Sequence, residues 1–154
     1  TDYNRSLTCS VGTITGGTMT NVVASECSVT VDIRMPDMET AEEVMAIVEG
    51  LETVDPDCLI AVTGGIDRPP YDKFDGIAAL FEHAKKVAAK IGFELQDLKT
   101  GGGSDGNFTG ALGIPTLDGL GADGHGAHSF DEYIYFSSLE ERTKLMIGLM
   151  ETLE

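Results

Sequence analysis

The sequence predicts an α/β protein in two halves of different style, and three observations lead there. Apolar residues alternate with polar ones before residue 66. Helical and short apolar stretches alternate after Asp75. Two glycine-rich turns end successive predicted strands between Thr100 and Glu132. Period-two alternation marks a sheet with one buried face, normally antiparallel. Helices alternating with apolar runs suggest an open α/β layer, whose ligands gather at the strand carboxyl ends.

In the first half the expected order is strand, strand, helix, strand. LTCSVGTIT, residues 7–15, leads into Gly16 and Gly17. In ECSVTVDIR, residues 26–34, Cys27, Val29, Val31 and Ile33 point one way and Glu26, Ser28, Thr30, Asp32 and Arg34 the other. Pro36 ends that strand. Thr40 with Glu43 reads as a capping box for a helix whose Val44, Ile47, Val48 and Leu51 make one apolar stripe. CLIAVT, residues 58–63, returns as a strand, and the turn-rich IDRPPYDKFD is the best boundary before the second half.

In the second half, Ile77, Leu80, Phe81, Ala84, Val87 and Ile91 define an amphipathic helix closed by Gly92. FELQDLK reads as a strand, Asp105 caps a short helix running to Ala111, and IPTLDGL reads as a buried strand. Ser138 and Glu141 cap a last helix carrying Leu145, Met146, Leu149 and Leu153. There are no internal repeats and no low-complexity segments.

Composition narrows the class. A chain of 154 residues with 42% hydrophobic content supports one modest core or parts of two, and no run is long enough to span a membrane. A net charge of -16, from 26 acidic and 10 basic residues, argues against nucleic-acid and anionic-membrane partners, which need a cationic surface. Cys9, Cys27 and Cys58 have neither metal-ligand nor redox spacing and read as reduced core residues of a cytoplasmic protein. The opening TDYNRSLT has no apolar or basic segment of the signal-peptide kind.

The glycine-rich turns hold the candidate site. GGGSDGN and GLGADGHGAHSFDE let backbone approach a ligand closely, and the second carries His128, with Glu132 four residues on. GLGADG, Gly119 to Gly124, satisfies GxGxxG, but no apolar helix follows it as a dinucleotide site requires. GGGSDG lacks the lysine and hydroxyl residue of a P-loop. Residues 1–72 hold 13 acidic and three basic side chains. Two of the three, Arg34 and Arg68, stand at predicted strand ends near prolines, either as surface ion pairs or as receptors for a substrate carboxylate, which a guanidinium grips with two parallel hydrogen bonds.

The ordered set GTITGGTMTNVVASECSVTVDIRMPD, GGIDRPPYD, GGGSDGNF, GIPTLDGLG and GAHSFDEY resembles the later half of the zinc-dependent carboxypeptidases and deacylases of metallopeptidase family M twenty. That family includes glutamate carboxypeptidase, acetylornithine deacetylase, succinyl-diaminopimelate desuccinylase and aminoacylase. The resemblance implies a partial antiparallel α+β lid, or dimerisation, domain over 1–72, then the carboxyl-terminal part of an α/β zinc-peptidase catalytic domain over 73–154. It implies a homodimer paired through the lid and a small peptide or N-acyl amino acid as substrate. It also implies roles. His128 is the last zinc ligand of a two-zinc site, while Glu132 is not a ligand in the family and is read here as an orienting or structural residue. Asn21 polarises the scissile carbonyl. Arg34 binds the substrate carboxylate, and Gly102, Gly103, Ser104 and Asp105 form the loop that closes over the substrate. Arg68 sits where some members keep a basic residue.

The family's remaining metal ligands and its general base precede the lid and are not in this sequence, nor is the lid histidine supplied by a partner subunit. Glu42 with Glu43, and Glu140 with Glu141, imitate the family's glutamate pair but fall in first turns of predicted helices, where acidic residues suit the helix dipole. His83 lies on a helix and reads as a packed or solvated side chain. His125 lies between two glycines and has less to fix its rotamer than His128. The expectation is a portion of a longer hydrolase, inert and poor in zinc by itself. The alternative is a dimerisation module with no metal site of its own.

Overall fold

A computed structural model describes residues 1–153, and the chain divides into two compact units, Thr1–Tyr71 and Asp72–Glu154.

In the first unit a short turn, Tyr3–Arg5, is capped by Asp2, whose side chain accepts from the Asn4 N–H at 3.0 Å. Two strands follow, β1 (Thr8–Gly16) and β2 (Cys27–Arg34), paired antiparallel as their alternation predicts. The ladder runs from Thr8 opposite Arg34 to Gly16 opposite Cys27, with a bulge at Gly12 between Val11 and Thr13. The bulge matters because Val11 faces Val31 and Ile14 faces Val29. The odd spacing from 11 to 14 would otherwise put those apolar side chains on opposite faces, and one extra residue restores the parity.

That apolar face is not buried as predicted. Val11, Ile14, Val29 and Val31 are all exposed, Val31 at 44%. The three thiols are free but exposed, against the expectation of core cysteines. A two-stranded ribbon has no layer of its own to cover it, so alternation marks the face without burying it.

Helix α1 (Met38–Glu49) starts two residues before the predicted cap. Asp37 is the N-cap, accepting the Thr40 N–H at 2.8 Å, so Thr40 is the third helical residue. Glu43 does not reach back to a cap. It pairs with Arg5 through two bonds of 3.2 and 2.5 Å, tying the helix to the opening turn. The pair holds the Glu43 carboxyl below its ordinary range. Thr40 and Ala41 are buried and Val44 and Val48 half-buried, while Ile47 and Leu51 lie exposed. The predicted strand at 58–63 does not form. Residues 51–74 are neither helix nor strand, and no described strand lies beside CLIAVT to complete a ladder.

The second unit is built on two long helices, α2 (Asp75–Ile91) and α4 (Phe136–Thr152), packed together. Gly92 adopts φ 109° and closes α2 by donating its N–H to the Ala88 carbonyl, as the sequence predicts. The core is Ala84, Val87, Ala88, Leu95, Leu145 and Leu149, flanked by Phe81, Ile91, Phe93, Leu117 and Leu120. Small residues bring the helices close. A Cβ on Gly148 would stand 2.6 Å from Val87 Cγ1. His83 Nε2 and Thr152 Oγ1 share a hydrogen bond of 2.7 Å, which joins the middle of α2 to the last residue of α4.

Neither FELQDLK nor IPTLDGL forms a strand, and among the described residues there is no parallel sheet. Their apolar residues are used differently: Leu95 is buried in the helix-pair core and Leu117 and Leu120 pack against it. The remaining elements are α3 (Gly106–Ala111) and a small antiparallel hairpin of β3 (Gly124–His125) and β4 (Tyr133–Ile134). Helix α4 begins at Phe136, after Tyr135, again before the predicted cap. Ser138 lies in the first turn, donating to the Tyr135 carbonyl at 2.7 Å and accepting the Asp123 N–H at 3.0 Å. The molecule is therefore mixed α/β, with small antiparallel sheets and helices in place of the expected open layer.

Candidate functional site

The predicted site residues fall in both units. In the first, Asn21 lies in a turn of the connection between β1 and β2 and is exposed. Arg34 ends β2 at the other end of the ribbon, opposite Thr8. The seven steps from Cys27 to Arg34 amount to ~23 Å of strand rise. The connection that holds Asn21 and the strand end that holds Arg34 therefore lie at opposite ends of the ribbon.

Arg34 donates from Nε to Asp32 Oδ1 at 3.0 Å, with both side chains more than half exposed. An exposed pair of this kind is worth little, because water and salt screen it, and an incoming carboxylate competes with it readily. Beside it is an open depression of about 540 Å³, lined also by Tyr3, Thr8 and Ser10. Arg68 donates to its neighbour Asp67 at 2.6 Å, within the stretch that has no regular structure.

In the second unit the first glycine-rich turn is ordered by its own side chains. The Ser104 N–H donates to Asn107 Oδ1 at 2.9 Å, and the Gly106 N–H donates to Ser104 Oγ at 3.1 Å. The two bonds resemble a capping box, with Ser104 Oγ accepting from Gly106 in place of Asn107, whereas Asp105, the residue expected to cap, occupies the cap position without a side-chain cap bond. Gly102 donates its N–H to Thr100 Oγ1 at 3.3 Å, and Gly103 lies exposed between Gly102 and Ser104. Asn107 went unrecognised in the sequence, although S-x-x-N ahead of a helix was the available signal.

The second turn, residues 126–132, joins β3 to β4. His128 adopts φ 66°, one of two non-glycine residues in the described chain with a positive φ. Its backbone N–H donates to Glu132 Oε2 at 3.3 Å. The strand that precedes it is the short β3, since IPTLDGL forms none. His125 is better held than its glycine neighbours suggest. It sits in the ladder opposite Tyr133, their ring centroids 6.3 Å apart. Tyr133 in turn meets Tyr135 edge-on at 5.5 Å, and the hydrogen bond between their hydroxyls at 3.5 Å, with desolvation and the charge of Asp123, raises the Tyr135 phenol above its ordinary range.

Among the described residues no three His, Cys, Asp or Glu side chains converge as a metal-holding group. Zn²⁺ takes four protein ligands in structural sites and about three in catalytic ones. One imidazole does not fit a zinc site by itself, and the Glu132 carboxylate on the same turn accepts from backbone. No helix among the described residues is long and apolar enough to cross a membrane.

The sequence profile of peptidase family M20/M25/M40 matches residues 9–152, so the chain belongs to that family of hydrolases. It is 29% identical over 147 residues to the protein YqjE of Bacillus subtilis (strain 168), covering 94% of this chain and 39% of that protein. It is 26% identical over 143 residues to carboxypeptidase G2 of Pseudomonas sp. (strain RS-16), covering 87% of this chain and 33% of that one. The chain thus spans well under half the length of these curated relatives.

Proposed function

We propose that this chain is the lid and carboxyl-terminal portion of a metallohydrolase that cleaves an amide bond next to a free carboxylate, as a peptidase or an N-acyl amino acid deacylase. The observation that carries the reading is an exposed Arg34, ion-paired with Asp32 beside an open depression, in a member of peptidase family M20/M25/M40. Similarity to carboxypeptidase G2 supports a substrate ending in a carboxylate.

In this reading Arg34 exchanges Asp32 for the substrate carboxylate, with its planar fork setting the substrate's orientation. Gly102, Gly103, Ser104 and Asp105 line the substrate, on a loop fixed by Asn107. His128 gives one imidazole to a zinc centre whose other ligands come from sequence outside this chain, and the metal supplies Lewis-acid chemistry when bound. Asn21 donates to the carbonyl oxygen. Its distance from Arg34 along the ribbon favours two copies of the chain cooperating, as in a homodimer paired through the lid.

The test is a comparison of substrates in the longer hydrolase. An N-acyl amino acid should be cleaved faster than its carboxamide counterpart, and Arg34→Lys should lower kcat/KM for the free acid by about tenfold or more, since an ammonium cannot reproduce the fork. The carboxamide rate should change little. Equal loss on both substrates, or no loss on the acid, would make Arg34 an ion-pair residue and defeat the reading.

A further inference from the structure

The turn between β3 and β4 holds itself in an unusual shape. Gly126 at φ 75° and His128 at φ 66° both occupy the left-handed region, and a Cβ on Gly126 would stand 2.9 Å from the Asp131 carbonyl oxygen. Ser129 knits the interior: its hydroxyl donates to the Gly126 carbonyl at 2.7 Å and accepts the Asp131 N–H at 3.2 Å. The Glu132 N–H donates to the Ser129 carbonyl at 3.3 Å. None of these bonds reaches His128, the residue that most needs support, because a side chain with a Cβ meets steric resistance at positive φ. Its one hydrogen bond in this turn is from its backbone N–H to Glu132 Oε2.

We infer that Glu132 is a positioning residue for His128, acting on the backbone: its carboxylate fixes the His128 N–H, holds the residue at left-handed φ, and so sets the direction in which the imidazole leaves the turn. This deepens the proposed function, on which the importance of His128 rests. The oxygen that bonds the N–H is directed into the turn, so Glu132 works as a structural acceptor and not as a second donor beside the ring. What the task requires is an acceptor oxygen at that position, with no requirement for negative charge. Glutamine retains such an oxygen and alanine does not.

Two measurements separate this role from the alternatives. In the 154-residue chain, amide hydrogen exchange at neutral pH should show the His128 N–H exchanging about tenfold faster in Glu132→Ala than in the native chain, with Glu132→Gln within about threefold of native. In the longer hydrolase, Glu132→Ala should lower kcat/KM by roughly 10- to 100-fold, the scale of an orienting partner at a metal ligand, and Glu132→Gln should restore most of it. Unchanged His128 exchange in Glu132→Ala overturns the inference. So does a Glu132→Gln enzyme as impaired as Glu132→Ala, which would show that the charge itself is used. Should the exchange pattern hold while the native hydrolase cleaves no amide, the proposed activity fails and the backbone role stands.

Discussion

The β1–β2 ribbon and the α2–α4 pair carry equally clear apolar periodicity, yet only the helices bury it. Val11, Ile14, Val29 and Val31 line up across the ladder and remain exposed, whereas Leu145 is fully buried and Leu149 nearly so. The ribbon is completed by hydrogen bonds between near neighbours in sequence, and a ladder closes whether or not anything covers its face. The helix pair is completed by side chains from residues some sixty positions apart, with Gly148 seated against Val87. Periodicity therefore identifies a face, and a second layer decides whether that face becomes a core.

The contrast should be sharpest in substitutions that remove apolar volume. Leu145→Ala should cost ~2–5 kcal/mol, because a buried leucine loses its contacts and leaves a cavity. Val31→Thr on the ribbon should stay within about 0.5 kcal/mol. Urea unfolding of the two variants checks both values. A loss above about 1 kcal/mol in Val31→Thr would show that the ribbon face is covered in solution and would break the contrast.

Gly148→Ala tests how closely the helices must approach. Alanine gains up to ~1 kcal/mol in helix propensity, but its methyl overpacks against Val87 at a cost of ~1–3 kcal/mol. A net loss of about 1 kcal/mol is expected by thermal or urea unfolding. A gain would mean that the helix pair spreads without penalty.

The smallest effect belongs to Arg5 and Glu43. The hydrogen bond and charge of Arg5 depress the folded-state pKa of Glu43 below its ordinary 4.5. The pair thus adds stability above that ordinary value, and the contribution is lost as pH falls through the lower folded-state value. Glu43→Gln should lower Tm by a few degrees at most at neutral pH, since the pair is exposed. The difference from the native chain should close in acid, and a difference that persists there would assign the effect to packing.

Both helix starts teach the same lesson about legibility. By residue type Thr40 and Ser138 look like caps, yet each is the third residue of its helix, three after Asp37 and Tyr135. A hydroxyl residue followed three positions later by glutamate fits a cap and a first turn alike, and only the backbone bonds distinguish them. At the site, the glycine-rich turns and His128 were visible as residue types. The bonds from His128 to Glu132 and from Ser104 to Asn107 depend on φ and ψ values that no residue type dictates.

By itself, the sequence determined the antiparallel pairing of residues 7–15 with 26–34, the extent and αL closure of α2, and the family motifs in order. Each of these depends on neighbours close in the chain or on residue identity alone. The tertiary structure decided what became of CLIAVT, FELQDLK and IPTLDGL. An apolar run becomes a strand only when another strand lies beside it to take its N–H and C=O groups. No described strand does so here, and Leu95, Leu117 and Leu120 go to a helix-pair core instead.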